Sequence, residues 1–152
     1  MATLKERIDA DLKDAMRSKN ELSLSVLRML KSAVKYKEVE PGASALDDEA
    51  VQKVINTLIK QRRESVDQFK SGGRPELAEK EEQEIAVLQK YLPQQLSAEE
   101  LSALVTAAIS ESGAQGPKDM GAVMKNVNPK IQGRAEGRAV SDEVKSQLSK
   151  MS

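Results

Sequence analysis

The chain has 152 residues, enough for one ordinary domain or two small ones, and its 24 lysines and arginines balance its 24 aspartates and glutamates. It contains no cysteine and no histidine, which excludes disulfides and thiolate metal sites and removes the commonest general base. We therefore expect no metal site and no cofactor. One Phe, two Tyr and no Trp also leave few aromatic faces on which bases could stack.

The sequence shows no signal peptide and no apolar run of membrane length. We therefore expect a soluble, cytoplasmic protein with no membrane partner. Because the net charge is zero, only a local cluster of cations would favour binding to nucleic acid.

Apolar residues in the first half recur at spacings of three and four, which predicts amphipathic helices. Two such runs, from Leu4 and from Leu24, should pair as a helical hairpin, followed by a loop around Pro41. A third helix should begin near residues 47–49 and run for about 25 residues. A fourth should begin at Pro75 and lie antiparallel to the third, completing a second, longer hairpin.

The sequence near residue 93 carries a signal that ends one helix and, a few residues later, a signal that begins another. Pro93 disfavours helical angles at Leu92, and Ser97 with Glu100 forms the pattern of a capping box. This pairing predicts a hinge between an N-terminal helical domain, 1–93, and a C-terminal helical domain, 97–152.

The second half predicts a small three-helix module. A fifth helix should be closed by Gly113, a sixth should run from Pro117 to a stop at Asn128 and Pro129, and a seventh should be capped by Ser141. No run of period two occurs anywhere, so the predicted fold class is all-α.

Three features have a structural and a functional interpretation. The end of the second helix carries four cations without an acid, which suits either a solvated face or a phosphate backbone. Arg62 falls on an apolar stripe, where an internal ion pair is expected in preference to ligand binding. Met120 and Met124 suit either a core or an adaptable contact surface. The four cations are Arg28, Lys31, Lys35 and Lys37.

A turn over residues 133–138 is the main candidate for RNA binding. Gly133 and Gly137 would allow close backbone approach, and nearby cations could hold phosphates. From residue 114 onward the sequence contains seven cationic and four acidic residues. The alternative is that the two glycines only shape a connection between helices. The candidate RNA-binding cations are Lys118, Lys125, Lys130, Arg134 and Arg138.

Four short motifs in order resemble the YqeY family across nearly the whole chain. They are residues 27–33 (LRMLKSA), 60–65 (KQRRES), 91–96 (YLPQQL) and 120–125 (MGAVMK), the last followed by 133–137 (GRAEG). The C-terminal half of that family is similar to the tail domain of the B subunit of the glutamyl/aspartyl-tRNA amidotransferase. The resemblance implies a helical module that contacts tRNA.

By this resemblance the family motif positions include Lys125 and Arg134 as phosphate contacts, while Glu136 stands where an aspartate is expected. The leading hypothesis is thus a tRNA-associated accessory in translation. One alternative implied by the family is a glutamine-dependent carbon–nitrogen ligase, but no nucleophile for stand-alone catalysis is visible. A third hypothesis is a protein–protein adaptor that uses the third and fourth helices. The remaining motif positions are Met120, Gly121, Met124, Gly133 and Gly137.

Overall fold

The computed structural model describes residues 2–151, and within them it contains seven α-helices, one 3₁₀ turn and no strand. The predicted all-α fold class is confirmed. The chain divides into two compact units between Leu92 and Pro93.

Four helices form the N-terminal unit and three form the C-terminal unit. The first four are α1 (Leu4–Ser18), α2 (Glu21–Glu38), α3 (Asp48–Ser71) and α4 (Pro75–Gln89). The last three are α5 (Ala98–Ser112), α6 (Met120–Ile131) and α7 (Gly137–Ser149), with the 3₁₀ turn Pro117–Asp119 leading into α6.

Local capping explains where several helices begin. The side chains of Thr3, Asn20 and Asp47 each accept a hydrogen bond from a backbone amide three residues later. Ser97 and Glu100 form both bonds of the predicted capping box, at 3.1 and 3.0 Å. These starts are set by side chains within one turn of the helix.

The N-terminal core is built from the inner faces of all four helices. Its fully buried side chains include Leu30 from α2, Ile59 from α3 and Leu88 from α4. The Tyr91 hydroxyl donates to Asp11 at 2.5 Å, and the Arg7 guanidinium lies 5.4 Å from the Tyr91 ring. These contacts hold the segment after α4 against α1. Burial is the main cause that raises the pKa of Tyr91.

Arg62 is buried against α4 and confirms the expected internal ion pair. Its Nε lies 3.7 Å from Glu84 Oε2, and the exposed fractions of the two side chains are only 9% and 13%. Arg62 also donates to the Leu58 carbonyl and to Met29 Sδ. Burial, followed by repulsion from Glu84, raises the pKa of Glu81 nearby.

The C-terminal core has its own set of buried residues from α5, α6 and α7, including Val105, Val127 and Leu148. Met120 and Met124 are partly buried and pack against this core. The structural interpretation of the methionine pair is therefore the one that the fold supports.

Two predicted boundaries in this unit are wrong. Helix α6 continues through Pro129 to Ile131. Burial of Ile131 in the core offsets the lost backbone hydrogen bond and the steric cost of a proline inside a helix. Helix α7 begins at Gly137 and not after Ser141. The earlier turn places Val140 in the core, where it is 1% exposed.

The buried pair predicts unequal costs for two neighbouring glutamates on α4. Glu84→Gln should lower the free energy of unfolding by about 3 kcal/mol, because it leaves the Arg62 charge buried without its partner. Urea unfolding measures this difference.

Glu82→Gln is the matched control, since Glu82 pairs with Lys70 at 3.1 Å while both side chains stay exposed. Its cost should be under about 1 kcal/mol. Equal costs for the two variants would contradict a buried role for Arg62.

Candidate RNA-binding surface

The five candidate cations do not share one environment. Lys118 lies in the 3₁₀ turn, Lys125 and Lys130 lie in α6, Arg134 follows α6, and Arg138 lies in the first turn of α7. Lys118, Lys125, Lys130 and Arg138 are exposed and Arg134 is half-buried.

Arg134 is held by the segment that precedes α5. Its backbone carbonyl accepts from the Leu96 amide at 2.7 Å, and its Nε donates to the Gln94 carbonyl at 3.2 Å. Gln95 Nε2 donates to the Gly133 carbonyl at 3.1 Å and to the Pro93 carbonyl at 2.9 Å. We call these contacts between residues 93–96 and 133–134 the clasp.

The clasp brings together two of the sequence motifs, YLPQQL and GRAEG. The role of Gln95 was missed by sequence reasoning, although its motif was recognised. The hydrogen bond from Gln95 to the Gly133 carbonyl spans 38 residues, and no local sequence pattern encodes a contact over that distance.

Lys130 is also engaged within its unit. Its Nζ donates to Glu111 Oε2 at 2.5 Å, joining α6 to α5. This hydrogen bond is the main cause that lowers the pKa of Glu111. Lys130 is therefore already paired with a carboxylate of its own unit.

Lys118, Gly121 and Lys125 form an exposed stripe, which we call the lysine stripe. The 3₁₀ turn passes directly into α6, so spacings of three and four residues place the three positions on one side. The buried residues Val123 and Val127 belong to the opposite side. A Cβ added to Gly121 would meet nothing within 4 Å, so the backbone there is open to an approaching group.

The two glycines of the predicted turn have different roles. Gly133 has φ +80°, in the left-handed region that favours glycine, next to Gln132 with φ 47°. Gly137 is the first residue of α7 and has open space around it. Glu136 is the N-cap residue in extended conformation, and its side chain makes no capping bond.

The basic end of α2 is partly neutralised. Lys31 lies 2.9 Å from Asp9, and Lys37 lies 3.7 Å from Glu40. The interpretation as a helix face with local ion pairs accounts for these two lysines.

The described residues contain no group of three or more acids that could hold a metal ion. No helix within residues 2–151 is both long enough and apolar enough to cross a membrane. What the C-terminal unit does offer is a set of exposed ammonium groups over an open backbone, an arrangement that suits phosphate binding.

The contrast between the two glycines can be tested by alanine substitution. Gly133→Ala should lower the free energy of unfolding by about 1 kcal/mol, because a Cβ is strained at positive φ. Gly137→Ala should leave it unchanged or raise it by up to about 0.5 kcal/mol, because alanine favours the helix. Urea unfolding of both variants distinguishes them, and equal destabilisation would contradict the assigned roles.

The capping box predicts a pH effect at Glu100. The hydrogen bond from the Ser97 amide is the main cause that lowers the pKa of Glu100 below its ordinary value of 4.5, with a smaller contribution from Arg134. Because the folded pKa is the lower one, the stabilisation is complete above pH 4.5 and is lost as the pH falls through the folded pKa.

Glu100→Gln keeps a side-chain acceptor but removes this titration. The unfolding free energy of the variant should therefore fall less steeply with acidity than that of the wild type. Glu99→Gln, a neighbouring glutamate outside the capping box, serves as the control for thermal unfolding across pH 2.5–6, roughly the range of carboxyl titration. Parallel curves for wild type and Glu100→Gln would refute the assignment.

Comparison with known proteins shows similarity to fungal proteins named "Altered inheritance of mitochondria protein 41, mitochondrial". The Eremothecium gossypii protein is 37% identical over 103 residues, which cover 66% of this chain and 56% of the relative. The Lachancea thermotolerans protein is 35% identical over 109 residues, covering 70% and 58%. The Pyrenophora tritici-repentis protein is 34% identical over 131 residues, covering 85% and 71%.

The chain thus spans little more than half the length of the first two relatives. All three relatives are named as mitochondrial proteins, a finding that overturns the expectation of a cytoplasmic location.

The family model described as "Yqey-like protein" matches residues 5–148, which cover most of both compact units and all four recognised motifs. The resemblance inferred from the motifs is confirmed, and the chain belongs to the YqeY family.

Proposed function

We propose that this protein is a tRNA-associated binding module whose C-terminal unit contacts RNA through the lysine stripe. The observation that carries the proposal is the exposed alignment of Lys118, Gly121 and Lys125 on one side of the 3₁₀ turn and α6. The resemblance of this half to the amidotransferase tail domain, inferred from the sequence motifs, favours tRNA as the class of ligand.

The stripe places two exposed lysines on either side of an open stretch of helix backbone. Lys118 and Lys125 lie seven positions apart in sequence, which corresponds to about 10 Å along a helix. Between them Gly121 exposes backbone without a side chain, so a phosphate can approach closely. Lys118 and Lys125 form no ion pair within residues 2–151, and binding therefore has no local salt bridge to break.

The other candidate cations divide into two groups. We assign Lys130 and Arg134 to the fold, because Glu111 and the Gln94 carbonyl already engage them. Arg138 is exposed at the start of α7 and, although it also has a partner within the structure, we keep it as a further candidate contact. Since the unit has no aromatic residue, recognition would depend on phosphates and shape and not on base stacking.

Filter binding with bulk tRNA tests the proposal. Lys118→Ala combined with Lys125→Ala should weaken binding ~10-fold and reduce the dependence of log affinity on log salt by roughly 1.5, because two phosphate contacts are lost. The measurement is a titration repeated at four salt concentrations.

Lys145→Ala combined with Lys150→Ala is the matched control, because both lysines are exposed, on α7 and at its C-cap, and neither belongs to the lysine stripe. The control should bind within about twofold of wild type. Absence of saturable, salt-sensitive binding by the wild type, or equal loss in both double variants, would overturn the proposal.

A further inference from the structure

An apolar groove of about 480 Å³ lies between α2 and α3 in the N-terminal unit. The proposed RNA contacts do not use it. Its ten lining residues come from α2, the following loop and α3: Ala33, Tyr36, Lys37, Leu46, Ala50, Lys53, Val54, Thr57, Leu58 and Gln61.

The lining positions follow the periodicity of a helix. Those on α3 begin at Ala50 and continue at +3, +4, +7, +8 and +11, while those on α2 begin at Ala33 and continue at +3 and +4. The α3 stripe therefore extends over successive turns for about 16 Å. A third helix could lie along these two stripes and place apolar anchors one turn apart.

Several apolar groups in the groove remain open to solvent. Leu46 and Leu58 are only partly buried, although both pack on the core. Tyr36 is 69% exposed at the rim, which is unusual for a large aromatic side chain in a chain with so few. Tyrosine is enriched among the residues that dominate binding energy at protein interfaces.

The charges that line the groove are both positive. Lys37 and Lys53 contribute ammonium groups, and no carboxylate is among the lining residues. The exposed pair between Lys37 and Glu40 is 3.7 Å long and adds little stability, so Lys37 can be recruited by another acid. Two of the three acids at the start of α3 are engaged locally, because Asp47 accepts from the Ala50 amide and Asp48 from the Leu4 amide, and the third, Glu49, is not among the lining residues.

The groove is also held in shape before anything binds. Glu38 Oε2 accepts from the Leu46 amide at 2.9 Å and from Lys5 Nζ at 2.6 Å. The hydrogen bond from Lys5 is the main cause that lowers the pKa of Glu38, so the carboxylate stays ionised. A preformed groove reduces the ordering cost of binding.

We propose that this groove binds an amphipathic helix of a partner protein, with apolar side chains seated between α2 and α3 and acidic residues facing Lys37 and Lys53. The parallel stripes favour a helix, and the sign of the lining charge favours an acidic one. The site is independent of the lysine stripe, so it stands whether or not the protein binds RNA.

Selection from a phage-displayed peptide library against the full chain tests this proposal. Enriched peptides should combine apolar residues at i, i+3, i+4 and i+7 with Asp or Glu, and should bind in fluorescence anisotropy. Lys53→Glu should weaken their binding ~10-fold, and Tyr36→Ala by a similar factor.

Lys60→Glu is the matched control, because Lys60 is exposed on α3 outside the lining. It should bind the peptides within about twofold of wild type, and all variants should keep the wild-type circular dichroism spectrum. No enrichment, or enriched peptides that bind Lys53→Glu and Tyr36→Ala as well as wild type, would overturn the proposal. A concentration-dependent dimer in light scattering that Lys53→Glu abolishes would also overturn it, by assigning the groove to a second copy of this chain.

Discussion

The proline at position 93 is the constraint on which the rest of the structure depends. Proline disfavours helical angles at the residue before it and removes a backbone donor, so α4 cannot continue into α5. The apolar residues are consequently divided between two separate cores, one built by α1–α4 and the other by α5–α7. Each core orients its own surface, the apolar groove in the first unit and the lysine stripe in the second.

Ion pairing determines which lysines of this neutral chain remain available to bind a ligand. Lysines whose side chains meet a carboxylate, such as Lys31 with Asp9 and Lys130 with Glu111, join helices to one another. Lys118, Lys125 and Lys53 form no such pair in the part of the chain that the structure describes. Although the net charge of the chain is zero, these unpaired lysines therefore form local positive surfaces.

Polar groups that are buried in the two units have partners from distant parts of the chain. Arg62 occupies a core position of α3, and its buried guanidinium is offset by the carboxylate of Glu84 on α4 together with its hydrogen bonds to the Leu58 carbonyl and Met29 Sδ. In the C-terminal unit the clasp provides partners for backbone carbonyls outside the helices. The Leu96 amide donates to the Arg134 carbonyl, Gln95 donates to the Gly133 carbonyl, and Arg134 donates to the Gln94 carbonyl. In both units, polar contacts between distant segments specify how the segments meet.

The sequence by itself determined the helical fold class, the starts of α1, α3, α4 and α5, and the buried position of Arg62, because caps, first-turn prolines and apolar periodicity act within one or two turns. Only the tertiary structure decided that α6 passes Pro129 and that α7 begins at Gly137, since these depend on burying Ile131 and Val140 in a shared core. The hydrogen bond of Arg134 in the clasp and the groove beside Tyr36 likewise depend on the tertiary structure. These features join residues far apart in the chain, and no local pattern encodes such contacts.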